Sequence, residues 1–329
     1  MKKTMTILAM LALMLIIGAP TAMAEDFVMG IAHLGRAGDI LDAGAKKWGE
    51  QIQKNSGGKI KVKYYPSEQM GKEADIVTSM QMGSVEASIL GPTLYKQAAP
   101  EYNIWSVYYL FDNSKQAMAL QETEIGEQCR AAVLKNKGIR IGGYGMRGPR
   151  HITSNFPIRK PADVKGLKIR VPLQPIYVAS WKKMRAIPTP IAFSEVYTSL
   201  KMGVVDAQEN PLMLIDSAHF DEVQKYVNLT AHQYSFYTYS VSEIWFKSLP
   251  KNLQKVVLEA SKSAGEYHSA LQEKMEKGFR TTLEKKGMKF IESDRKAFQE
   301  TLVDIPNQFK SQWAPGLYKK ILEAKAKLK

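Results

Sequence analysis

Two short segments carry most of the chemistry available to this chain: Lys165-Gly166-Leu167-Lys168-Ile169-Arg170-Val171-Pro172, and Val205-Asp206-Ala207-Gln208-Glu209-Asn210-Pro211. Ile169 and Val171 alternate with Lys168 and Arg170, which is the period of a strand, and Pro172 lacks the amide proton that would continue the ladder. Arg170 therefore stands at a strand end. In sheets flanked by helices, ligands bind beyond the carboxyl ends of strands, and a planar fork of five donors there suits a carboxylate. Asn210, held extended by Pro211, adds an amide donor at the tip of the second strand. The ordinary alternative for Arg170 is a solvated charge at a strand end.

Enzyme constellations are thin. There is no GxSxG or HExxH pattern and no paired-carboxylate motif, and the five histidines, scattered from His33 to His268, form no metal-ligand spacing. His33, just after the first strand, is a candidate for a ligand cleft, with a satisfied core or surface histidine as its alternative. The lone Cys129 cannot form an internal disulfide, and with no CxxC or spaced His/Cys set no structural metal is expected; no cofactor is expected either. Gly143-Tyr144-Gly145-Met146-Arg147-Gly148 fits GxGxxG, but Pro149, Pro157 and Pro161 prevent the helix that would present its N-terminus to a pyrophosphate. Those glycines are expected to serve a flexible crossover between lobes.

The elements that must position these residues follow from targeting, length and repetition. Residues 1–24 carry Lys2 and Lys3, an apolar core over 7–17 and a small-residue ending at Ala22-Met23-Ala24, the pattern of a secretory signal peptide cleaved after Ala24. No later stretch approaches 18 apolar residues, which disfavours a membrane-embedded chain. Loss of Lys2 and Lys3 takes Lys+Arg from 46 to 44 against 32 acidic residues, a formal charge of +12. The lysines are spread along helical faces with no dense basic run, and export removes nucleic acid as a partner. About 305 residues remain, natural for two lobes. Ser79-Met80-Gln81-Met82-Gly83-Ser84-Val85-Glu86-Ala87 is echoed by Ser199-Leu200-Lys201-Met202-Gly203-Val204-Val205-Asp206-Ala207, each a helix end, a glycine cap and a strand. Strands alternating with helices imply two α/β lobes with mostly parallel sheets and a cleft between them. Beyond Pro250, Leu253, Val257, Ala260, Ala264 and Leu271 recur at helical spacing, Met288-Lys289-Phe290-Ile291 reads as an edge strand, and Asp294 is a helix N-cap.

Four ordered motifs, Arg150-His151-Ile152-Thr153-Ser154-Asn155, 161–172, Pro188-Thr189-Pro190-Ile191-Ala192-Phe193-Ser194-Glu195-Val196-Tyr197 and 206–211, resemble the substrate-binding subunits of tripartite ATP-independent periplasmic (TRAP) transporters, the DctP family. Weaker similarity covers residues 27–285. The resemblance implies a two-lobed periplasmic-binding-protein fold with a long helix spanning both lobes. It divides the chain into lobe I, 25–147 plus 236–275, and lobe II, 148–235 plus 276–329, with crossings near Met146, near Phe236 and within the 264–278 helix. It implies that Arg150 joins Arg170 on a ligand carboxylate supported by Asn210, with Arg147 a competitor for that role. It implies that Glu209 pairs with a neighbouring cation or amide, and that Phe193 lines the cleft. Tyr234, Phe236 and Tyr237, from an alternating aromatic run, are further candidates for ligand contact.

The expected protein is a monomeric periplasmic solute-binding protein, not an enzyme. It captures a small organic acid by hinge closure and passes it to small and large TRAP membrane subunits. A secreted two-lobed hydrolase or isomerase, or a ligand-sensing domain for a membrane receptor, are the alternatives. Ala32 and Gly91 stand where sialic-acid-binding relatives place polar contacts. That turns the expectation away from a heavily hydroxylated acid, towards a monocarboxylate with an apolar or aromatic body.

Overall fold

The structure is a computed structural model that describes residues 27–328. The signal segment, its cleavage point and residues 25, 26 and 329 lie outside the described residues. The strands are β1 (Phe27–His33), β2 (Ile60–Tyr65), β3 (Ala87–Leu90), β4 (Ile139–Ser154), β5 (Lys168–Val171), β6 (Ile187–Pro190), β7 (Ala207–Pro211), β8 (Tyr226–Ser242) and β9 (Lys289–Glu292). They are ordered β2-β1-β3-β8-β4-β7-β5-β6, with β9 on β8.

The fold is two-lobed α/β, and its halves repeat one design. In the first, β1 lies between β2 and β3 and parallel to both, joined through the helices Ile40–Asn55 and Glu73–Met82. In the second, β5 lies between β6 and β7, joined through Pro175–Lys183 and Val196–Lys201. The nine-residue echo marks equivalent corners. Gly83 and Gly203 take left-handed φ values of 78° and 70°, and the amides that follow return to the carbonyls of Ser79 and Ser199. Only a residue without Cβ turns there at little cost.

The halves are not separate sheets. β4 and β8, of 16 and 17 residues, form one antiparallel ladder from Ile139 opposite Ser242 to Ser154 opposite Tyr226, and so run through both. Along the ladder Met146 faces Phe236, and the Met146 amide donates to Ser269 Oγ at 2.9 Å. The three expected crossing points thus lie side by side.

Ser269 belongs to the 35-residue helix Lys251–Lys285, about 52 Å long at 1.5 Å per residue, which lies along β4. Its buried stripe includes Leu253, Val257, Ala260, Ala264, His268, Phe279 and Leu283. The GxGxxG glycines sit inside β4, at the expected crossing near Met146, and they explain the close approach. A Cβ on Gly143 would stand 2.3 Å from the Ser261 carbonyl oxygen, and one on Gly145 2.9 Å from the His268 ring. From the helix side, a Cβ on Gly265 would stand 2.2 Å from the Tyr144 oxygen. Main chain packs on main chain here. β9 pairs only with β8, and Asp294 caps the helix Arg295–Leu302 by accepting from the Ala297 amide.

Candidate functional site

A cavity of about 290 Å³ opens between the two halves, with Arg147, Arg150 and Arg170 in its lining. Two of these should not share a side. Residues three apart on a regular strand point to opposite faces, yet Arg147 and Arg150 both reach the cavity. The register supplies the reason: Arg147 faces Ser235 and Arg150 faces Gln233, so β4 spends three residues where β8 spends two. This bulge falls at Gly148-Pro149, where proline has no amide to lose from the ladder.

Arg150 is tied to an acid through two of its three nitrogens. Its Nε donates to Glu209 Oε2, and one Nη donates to Glu209 Oε1 at 2.8 Å and to the Glu209 carbonyl at 2.5 Å. Glu209 Oε2 also meets His232 Nε2 at 2.9 Å, and His232 Nδ1 meets Thr230 Oγ1 at 2.8 Å. A second irregularity shapes this arm. Between the pairs Arg150–Gln233 and Ile152–Asn228, β8 spends five steps against two, with Ala231 at φ 40°. Burial would raise the Glu209 carboxyl, but Arg150 and His232 outweigh it and hold it at about 2. Burial would likewise lower the Arg150 guanidinium, and the Glu209 carboxylate raises it instead. Behind the pair, Tyr108 packs on Tyr177 at 4.9 Å and on His232 at 4.6 Å, and Trp181 Nε1 donates to the Tyr108 hydroxyl.

Arg170 differs. It is 3% exposed, donates from Nε and Nη2 to the Ile191 carbonyl at 2.9 and 2.7 Å, and has no carboxylate within 4 Å among the described residues. Burial pushes its pKa down to about 10, so it stays protonated at neutral pH. Ile169 and Val171 are buried on the other face of β5, which leaves Arg170 at the carboxyl end facing the cavity. Asn210, on neighbouring β7, gives Nδ2 to Gln208 Oε1 at 2.6 Å and also lines the cavity. Arg147 lies over the Tyr237 ring at 4.9 Å, and its buried Nε has no protein partner.

The facing wall comes from the first half and carries the carboxylates Glu68, Glu73 and Asp75 along with Lys72 and Lys96. Glu73, in the first turn of Glu73–Met82, accepts from the Gly91 amide at 3.0 Å and Thr93 Oγ1 at 2.7 Å. Glu68 accepts from the Ser194 amide at 3.1 Å, and burial raises its carboxyl pKa. Contacts bridge the walls: Lys72 pairs with Glu195, Lys96 Nζ donates to the Leu173 carbonyl at 2.7 Å, and Asn103 Nδ2 donates to Gln174 Oε1 at 3.1 Å.

Of the residues singled out from sequence, Arg150, Arg170, Asn210 and Phe193 line this cavity, together with Arg147. Phe193 is half-buried and packs edge-on against Phe220, so it serves core and cavity at once. The others are placed elsewhere. Tyr234 lies under Arg295, and Phe236 is enclosed by Tyr95, Trp105 and Tyr144 because β8 turns that face into the core. Tyr237 supports Arg147 from behind. His33 sits beside a void of about 10 Å³ with Ala32, 3.7 Å from Asp42, and burial lowers its pKa to about 4. Sequence reading missed Tyr177, Glu68 and Glu73. None carries a strand-end or motif signal, and each reaches the cavity only through folding of distant segments. Among the described residues no group of histidine, cysteine or carboxylate side chains could hold a metal, and no helix is long and apolar enough to cross a membrane.

The chain is similar to known proteins. Residues 31–312 match the model of DctP, bacterial extracellular solute-binding protein, family 7. A solute-binding protein of Roseobacter denitrificans is 38% identical over 288 residues, 88% of each chain. The 2,3-diketo-L-gulonate-binding periplasmic protein of Escherichia coli is 31% identical over 80% of this chain and 81% of that protein. A crystal structure of a TRAP periplasmic solute-binding protein from Roseobacter denitrificans, with bound L-galactonate, superposes with a TM-score of 0.86 at 36% identity, covering 91% of this chain and 99% of that one. With a family match across both halves of the sheet, this chain belongs to the DctP family, the periplasmic solute-binding proteins of TRAP transport, and is not an enzyme.

Proposed function

We propose that this protein captures a sugar acid, with its carboxylate on Arg170 and Arg147 beside the neutralised Arg150, and delivers it as a monomer to the TRAP membrane subunits. The observation that carries this reading is Arg170: a buried guanidinium that faces the cavity and spends its bonds on a carbonyl rather than an acid. A buried charge without an ionic partner is costly, and an incoming carboxylate supplies that partner. The lean toward an apolar body rested on Ala32 and Gly91 standing where sialic-acid-binding relatives place polar contacts, and on the nearby aromatics, yet Tyr234, Phe236 and Tyr237 are absent from the lining. Glu68, Glu73 and Thr93 replace them with hydrogen-bonding groups. The relatives' diketo-gulonate and L-galactonate are polyhydroxylated monoacids, in keeping with this.

Closure would hinge where Met146, Phe236 and Ser269 lie together, dividing the lobes as 25–147 plus 236–275 and 148–235 plus 276–329. A ligand touching both walls selects the closed form. Calorimetric titration with L-galactonate and with its amide tests the assignment. The free acid should bind at least about tenfold more tightly, through charge-assisted hydrogen bonds worth roughly twice neutral ones. Equal binding of acid and amide overturns it.

A further inference from the structure

Arginines occupy the wall built by β4 and β5, while Glu73 and Glu68 occupy the wall built by the first half, whose Lys72 and Lys96 are spent on Glu195 and the Leu173 carbonyl. The two sets meet at Gly91, where a Cβ would stand 3.3 Å from both Arg147 Nη1 and Glu73 Oε1. Glu73 is anchored by two neutral donors, the Gly91 amide and the Thr93 hydroxyl, with no cation within 4 Å among the described residues. A carboxylate held in this way keeps lone pairs for further donors and cannot swing aside. It can accept from a ligand hydroxyl, whereas a second ligand carboxylate placed there meets a fixed like charge.

We propose that Glu73, assisted by Glu68, makes the site selective for acids with one carboxylate and a hydroxylated far end, and rejects dicarboxylates of the same length. This rests on the sugar-acid reading above and adds to it the residue that sets the charge of the far end. The wall that carries Glu73 does not stand alone as a site. It closes a cavity whose opposite side holds the buried, unpartnered Nε of Arg147.

The test compares L-galactonate with galactarate, the same hydroxylated six-carbon chain carrying a carboxylate at both ends, by calorimetry on the mature protein. Wild type should prefer galactonate by at least about 30-fold, the scale set by placing like charges together in a binding site. Glu73→Gln should narrow that preference at least about fivefold, losing affinity for galactonate and gaining it for galactarate. Glu50→Gln, which removes an exposed carboxylate outside the cavity lining, should keep the preference, and thermal unfolding verifies that both variants are folded. Parallel binding of the two acids by wild type, or an unchanged preference in folded Glu73→Gln, overturns the charge selection while leaving the sugar-acid site standing. If wild type binds neither acid, both readings fall.

Discussion

Arg150 and Arg170 line the same cavity from adjoining parts of one sheet, but only Arg150 is answered by a carboxylate. Glu209 takes two of its nitrogens, while Arg170 reaches only the Ile191 carbonyl. One arginine is structural as well as cationic; the other is held ready. Burial disfavours the charged form of Arg170 and depresses its pKa to about 10, a cost that a carboxylate bound there would relieve.

Substitution of Arg170 should therefore separate stability from function. Arg170→Met removes the buried charge and should leave the melting temperature of the unliganded protein unchanged or raised. It should also abolish the thermal shift produced by a sugar acid, about 2.7 kcal/mol at 100 times the dissociation constant. Arg170→Lys should weaken binding as well, since an ammonium cannot reproduce a planar two-pronged contact. Wild-type affinity in either folded variant contradicts the assignment.

Glu209→Gln should behave in the opposite way. The pair it forms with Arg150 is wholly buried, and deleting one charge strands the other, at a cost of about 3–5 kcal/mol. Denaturant titration should show a lowered midpoint with an unchanged slope. The pH dependence supplies a second readout. The Glu209 carboxyl is held at about 2 in the fold against 4.5 outside it, so its contribution is present above pH 4.5 and lost as pH falls towards 2. The variant should lose that part of the acid sensitivity.

Buried histidines set an earlier acid limit. Burial lowers His33 to about 4 and His151 and His268 to about 3, from 6.5. The fold favours the neutral ring in each case, so the unfolded chain takes up protons first. This stability is intact above pH 6.5 and is lost progressively as pH falls through that value towards 3–4. Unfolding midpoints measured at pH 7, 6 and 5 should fall in that order, and His268→Asn should flatten the decline.

Much of this site was legible because its residues sit at strand ends with proline stops. Pro172 and Pro211 mark the tips of β5 and β7, and Arg170 and Asn210 are where such tips place them. The repeat around Gly83 and Gly203 disclosed the twofold design. What stayed hidden depends on register. Arg147 could be read only as a competitor of Arg150; that both reach the cavity depends on the Gly148-Pro149 bulge, which shifts parity without leaving a period in the sequence. The inward faces of β8 were misassigned because alternation tells that two faces differ, not which one meets the ligand. The glycines of β4 did not disclose the helix that lies on them. Gly265→Ala tests that contact: pushing the helix off the Tyr144 carbonyl should cost about 1–3 kcal/mol or more by denaturant titration, with no change in the residues that touch ligand.

The last prediction concerns closure. Lys72 and Glu195 pair across the cavity mouth, from the edges of opposite halves, and both side chains are about half exposed. An exposed pair adds little to overall stability, but on the proposed hinge closure a pair bridging the two walls would act on the closed form alone. Lys72→Glu turns this attraction into repulsion next to Glu195 without altering Arg170, Asn210 or Glu73. Ligand dissociation followed by stopped-flow fluorescence should then accelerate by up to about tenfold at low salt. The difference from wild type should shrink towards nothing in about 1 M salt, where screening acts over ~3 Å. Glu195→Lys combined with Lys72→Glu should restore the wild-type rate by reversing the pair. A dissociation rate indifferent to both substitutions and to salt would mean that the mouth contacts follow closure without stabilising it.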